Sequence, residues 1–197
     1  MSNKKVRPVY ALPILVALVS LGFEHAEAGI LREAHATSAV AHATLGELAL
    51  RTTGLRRTAA IRRYVDRYDI EWRLARQIYD AAARAGIRPD LAYRLVRVES
   101  SFKQRAVGPA GAIGFTQVQP ATAHWLDPDL TRDDLFDVDT NLRVGFGYLR
   151  MLIDRYGNVR VALLAYNRGP GTVRSVLAAG EDPANGYAAR VLEGSGK

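Results

Sequence analysis

Residues 99–120, ESSFKQRAVGPAGAIGFTQVQP, join one carboxylate at the end of an apolar-faced helix to a loop with glycines at 108, 111 and 114, closed by Pro120. Pro89 suits a first helical position, where its missing N–H is unpaired in any case. Leu91, Leu95, Val98 and Phe102 then recur at four, three and four residues, a core-facing stripe. Glu99 follows Leu95 by four residues, so it sits near the buried face and not opposite it. Loss of water and the negative end of the helix both disfavour its charged form. A carboxyl still protonated near neutral pH can act as a general acid toward a leaving oxygen. The plainer reading is a solvated glutamate at a helix end.

Working outward, the 197 residues are 48% hydrophobic, enough for one ordinary core. Lys4, Lys5 and Arg7, the apolar run 9–23 and Ala26-Glu27-Ala28 have the order of an export signal, so residues 1–28 are expected to be a cleaved signal peptide. The alternative is an inner-membrane anchor through residues 9–23. Residues 29–68 then read as a helical leader, 69–193 as the catalytic domain and 194–197 as a tail. The chain has no cysteine, which removes disulfides, thiolate nucleophiles, Cys-based metal sites and a thiol-linked lipid anchor. The formal charge is +7; without residues 1–28, which hold three basic and two acidic residues, it is +6. Such a chain favours anionic partners, and the export signal makes a bacterial wall a better candidate than nucleic acid. Arg51, Arg56, Arg57, Arg62, Arg63 and Arg67 are the densest basic run. A solvated helix face is its default reading, and a loose membrane or wall contact the second.

Helices are expected over 55–68, from a cap at Asp69 to Gly86, from Pro89 past Glu99, from Pro120 to Leu126, from Asp139 or Thr140 to Tyr156, over 158–167, over 172–179 and over 187–192. Trp72, Ala75, Ile78, Tyr79 and Ala82 form the expected core stripe of the second of these. Gly145 and Gly147 inside a helix suggest close backbone packing. His35 and His42 have no third ligand in register and read as polar face positions. The acidic stretch 127–139 lacks a calcium-loop order, so turns and caps are the reading, although it could hold a second carboxylate for the site. The glycines at 108, 111 and 114 permit positive φ, so the loop can fold over one side of a cleft. Gln117 and Gln119 offer amides that donate and accept, matching acetamido groups and hydroxyls of amino sugars.

These motifs together resemble the soluble lytic transglycosylase (SLT) family, a relative of goose-type lysozyme. The resemblance rests on Glu99-Ser100-Ser101-Phe102, Gly111 to Gln117, Pro120 to Ala123 and Ala165-Tyr166-Asn167-Arg168-Gly169, in that order, and covers roughly residues 70 to 190. Gly108, Phe115-Thr116 and Gln119 depart from the family's usual Ser, Leu-Met and Met. The implied fold is mainly α, a lysozyme-like α+β arrangement with the Gly-rich loop or a short hairpin beside the catalytic helix. The implied activity is cleavage of the MurNAc–GlcNAc β-1,4 bond of peptidoglycan with a 1,6-anhydro end, Glu99 making both proton transfers. Tyr166 is implied to orient the acid or polarise the sugar, and Asn167 to shape the local backbone and meet substrate. Gln117 and Gln119 complete the expected binding set, with no cofactor and no metal. Peptidoglycan glycan strands are the expected partner, the chain a monomer, its place the periplasm. A hydrolytic muramidase and a non-catalytic wall-binding protein are the rival readings.

Overall fold

The computed structural model describes Ser38 and residues 43–45 and 47–193. The expected signal peptide and tail lie outside these residues. Two compact units meet at the Arg57/Thr58 boundary. In the first, residues 47–57 are helical, and Arg51 pairs with Glu47, both exposed. The helix runs through Gly54.

The second unit opens with α1 (58–68), followed by α2 (Trp72–Arg84), α3 (Pro89–Ser100), α4 (Pro120–Leu126), α5 (Val138–Tyr156), α6 (Val159–Arg168), α7 (Pro170–Ala178) and α8 (Tyr187–Glu193). Two 3-10 turns, Pro109–Gly111 and Asp133–Phe136, punctuate the loops. It is mostly helical, as expected. Between α3 and α4 two isolated antiparallel bridges, Val107 to Ile113 and Ile113 to Val118, fold the glycine-rich loop without making a strand among the described residues.

One large core joins Ile61, Ala75, Ile78, Tyr93, Leu95, Leu142, Phe146, Leu149, Leu163 and Val191, all fully buried. Each such aliphatic side chain contributes roughly 1.5–3 kcal/mol of burial. A smaller cluster of Ile113, Val118, Ala123, Leu135 and Val144 sits under the loop and ties it to α5. On α3 the buried face is broader than the predicted stripe, because Ala92, Tyr93 and Val96 are buried while Val98 is only partly so. Tyr93 stacks on Tyr64 with ring centroids 3.9 Å apart, which fixes α1 on α3.

Two caps and one core position differ from expectation. Asp69 has φ +51 in the turn and Glu71 precedes α2 instead, its side chain making no cap bond. Trp72, placed at the start of α2 and not within its buried turns, is 41% exposed. Asp137, not Asp139 or Thr140, caps α5 by accepting from the Thr140 N–H at 2.8 Å. That bond holds the Asp137 carboxyl below its usual range.

Candidate active site

Glu99 is the penultimate residue of α3, whose end is set by Ser101 in the left-handed conformation. It is half-buried and faces a cleft of about 490 Å³. The cleft is also lined by Ala112, Gln117, Gln119, Tyr148, Tyr166 and Asn167. Burial pushes the Glu99 carboxyl up to about 7, against the opposing pull of a hydrogen bond from Tyr187 and the charge of Arg190. The Tyr187 hydroxyl, on α8, donates to Glu99 Oε1. Burial and the nearby Glu99 carboxylate in turn push the Tyr187 phenol well above its ordinary value, so it stays a donor. Among the described residues lining the cleft, Glu99 is the one carboxylate.

The loop opposite is held by Asn141 on α5, which is 1% exposed. Its Oδ1 accepts from the Thr116 N–H at 2.9 Å and from Thr116 Oγ1 at 2.8 Å. Its Nδ2 donates to Ile113 O and to Leu135 O, each at 2.9 Å. All of its side-chain capacity is thus committed to loop backbone and one loop hydroxyl. Gly145, one turn along α5, leaves space that a Cβ would take from Thr116, whose Cγ2 would lie 2.7 Å away. The close packing expected of Gly145 is present; Gly147 meets open space.

The five residues singled out from sequence, Glu99, Gln117, Gln119, Tyr166 and Asn167, all line this cleft. Their hydrogen bonds differ from the expected arrangement in one respect. Tyr166 does not bond the acid: its hydroxyl donates to Thr116 O at 2.8 Å and so braces the loop from α6. Burial, and after it the Glu99 charge, push its phenol well above the ordinary value, which places the two groups in each other's field. Asn167 accepts from Asn185 Nδ2 at 2.9 Å, and Gln119 is exposed at the cleft rim. The residue that contacts the acid, Tyr187, carries no mark in the sequence beyond opening a terminal helix. No local pattern marks it, since its partner lies 88 positions earlier. The acidic stretch 127–139 contributes no residue to the cleft lining.

A mostly helical body with a half-buried acid facing an amide-bearing loop across a cleft suits a glycan-cleaving enzyme. The Transglycosylase SLT domain family matches residues 76–185, more than half of the chain, and the chain belongs to that family. It is 36% identical over 98 residues to the soluble lytic murein transglycosylase of Salmonella typhimurium, covering 46% of this chain and 15% of that protein. Against the transglycosylase of Enterobacteria phage PRD1 the identity is 38% over 89 residues, 45% of this chain and 32% of the phage protein. The chain therefore spans a third or less of these relatives' length. Among solved structures it is similar to the lytic transglycosylase Slt of Pseudomonas aeruginosa, crystallised as an inactive glutamate-to-glutamine mutant. That match has TM-score 0.50 and 27% identity, over 58% of this chain and 21% of that one. It is also similar to a 70-kDa soluble lytic transglycosylase in complex with bulgecin A, at TM-score 0.52 and 28% identity over 59% and 22%.

Proposed function

We propose that this chain is a peptidoglycan lytic transglycosylase that cleaves the MurNAc–GlcNAc β-1,4 bond and leaves a 1,6-anhydro-MurNAc end, with Glu99 as its single catalytic carboxyl. The observation that carries the reading is a lone half-buried acid, with a pKa of about 7, in a cleft that no second carboxylate lines among the described residues. At neutral pH a substantial fraction of Glu99 holds its proton, which it gives to the glycosidic oxygen as the C1–O bond breaks. The carboxylate left behind keeps the Tyr187 hydroxyl donor on Oε1 and the Arg190 charge nearby, which limit the cost of its ionisation. It then takes the proton of the muramoyl C6 hydroxyl as that oxygen closes on C1, so the acid is restored and no water is consumed. An intramolecular nucleophile avoids the entropy of capturing a water, which suits a site with one acid.

Gln117 and Gln119 meet the sugar's polar groups, Tyr166 holds the loop at its working distance, and Asn167 completes the far wall. The names of the similar proteins support this reading, as does the inactivity of the glutamate-to-glutamine mutant of one of them. The site needs no cofactor or metal for this chemistry. Peptidoglycan as substrate goes with an exported, periplasmic protein, cleaved after residue 28 or anchored through residues 9–23, and a charge of +6 or +7 respectively suits an anionic wall. Among the described residues no helix is long and apolar enough to cross a membrane.

Digestion of purified sacculi, with the products weighed, tests the reading. Anhydro ends from wild type, lost in Glu99→Gln with sacculus binding retained, are expected. Reducing ends heavier by one water assign a hydrolytic muramidase instead, and binding without release of fragments assigns a wall-binding protein.

A further inference from the structure

Gly108 opens the loop across from Glu99, and its backbone gives no reason for a glycine. Its φ of −98° and ψ of −176° are extended values that any residue adopts, unlike Gly111 and Gly114 at φ +73° and +75°. The expectation of positive φ thus holds at two of the three loop glycines. What the missing side chain supplies at 108 is room. A Cβ there would overlap Gln117 Oε1 and come within 3.4 Å of Gln117 Cδ.

Gln117 occupies that room in a fixed orientation. Its own φ of +48° is rare for a residue with a side chain. Its Nε2 donates to Ala106 O at 3.2 Å and to Gly114 O at 2.9 Å. The reverse orientation would set Oε1 against two carbonyl oxygens, so the assignment follows from chemistry. Both N–H groups of the amide are spent within the loop. No donor among the described residues reaches Oε1, and the residue is half-buried at the cleft wall.

We propose that Gly108 is a specificity-determining positioning residue: its missing side chain seats Gln117 with donors turned into the loop and Oε1 turned to the ligand. Gln117 then serves as a pure acceptor for a sugar hydroxyl or acetamido N–H. This rests on the reading of the cleft as a glycan site. An amide with free rotation can meet either a donor or a carbonyl; one whose N–H groups are engaged selects a donor and, being preorganised, loses little entropy on binding.

The test is a double-mutant cycle of Gly108→Ala and Gln117→Ala, with tri-N-acetylchitotriose binding by calorimetry and sacculus turnover as readouts. Because the colliding atom ends a flexible side chain and the backbone is permissive, Gly108→Ala still folds, its unfolding temperature lowered by no more than Gln117→Ala lowers it through loss of the same two loop bonds. Trisaccharide binding weakens roughly three- to tenfold, the loss of one hydrogen bond. The change appears in KM and not in kcat or the pH profile. In the Gln117→Ala background the same substitution changes nothing further. A crystal with the trisaccharide shows Oε1 accepting a sugar hydrogen. Wild-type binding by Gly108→Ala, an equal loss in both backgrounds, or Nε2 donating to the sugar overturns the inference while the glycan reading stands. A wild-type protein that neither binds the trisaccharide nor releases fragments from sacculi overturns both.

Discussion

Replacing Glu99 by glutamine removes one titration and leaves the shape, so the structure sets how the stability of the two proteins must diverge with pH. Burial lifts the carboxyl from 4.5 to about 7, which corresponds to about 3 kcal/mol between its two protonation states. A folded-state value above the unfolded one means that the folded protein holds the proton more tightly. The resulting stability is fully present below the unfolded pKa and is lost as pH rises through about 7. Between about pH 5 and about pH 8.5 the wild type should therefore lose about 2.5 kcal/mol that the Gln variant does not lose. Urea unfolding of both proteins at the two pH values reads the difference, with all other titrating groups cancelling. Glu99→Gln should gain on the wild type as pH rises and overtake it on the alkaline side, provided the glutamine carbonyl still accepts from Tyr187. A stability difference that stays flat over this range refutes the claim that Glu99 is sheltered, and the general-acid argument with it.

Further outcomes follow from individual side chains. Tyr187→Phe removes the donor on Glu99 Oε1, so the acid should titrate higher still, and the alkaline limb of the pH–rate profile on sacculi should move up by about one unit; a downward move contradicts the assignment. Asn141→Ala strands the Thr116 N–H and the carbonyls of Ile113 and Leu135, and urea unfolding should show a loss of roughly 3–5 kcal/mol. On one helix, Gly145→Ala should destabilise by about 2 kcal/mol or more through its collision with Thr116, whereas exposed Gly147→Ala should stabilise by up to about 1 kcal/mol, both read by thermal melts.

Periodicity and punctuation made the helices legible. Pro120 to Leu126 and the ending of α5 at Gly157 follow from a proline at a first turn and a glycine at a stop, both local signals. Caps were less legible because Asp137, Asp139 and Thr140 all carry suitable oxygens within one turn. Which of them caps depends on where the 3-10 turn Asp133–Phe136 delivers the chain. The loop glycines show the same limit. Sequence allows positive φ at each, but only coordinates separate Gly111 and Gly114, which use it, from Gly108, whose vacancy is filled by Gln117. The five cleft residues were legible because they lie within or just after short ordered motifs. Tyr187 was not, because a tyrosine at the start of a seven-residue helix looks like any core aromatic until the chain has closed.

The closing of that chain also explains why the acid can be sheltered and still ionise. Burial alone would hold Glu99 neutral, useful for the first proton transfer and an obstacle to the second. The remedy comes from the far end of the sequence. Arg94 on α3 donates to Leu192 O, Arg168 at the end of α6 donates to Pro183 O at 2.7 Å, and Asn185 bonds Asn167. These three contacts bracket Tyr187 on both sides, so its hydroxyl reaches the carboxyl from a segment pinned to the two helices that frame the cleft. Arg190, one turn later and with its guanidinium 5.8 Å from the Tyr187 ring centroid, adds a positive charge from the same helix. Desolvation from the core and stabilisation of the anion from α8 thus act on one carboxyl from different parts of the chain. Their balance, with the first the larger, is what leaves the acid titrating near neutrality.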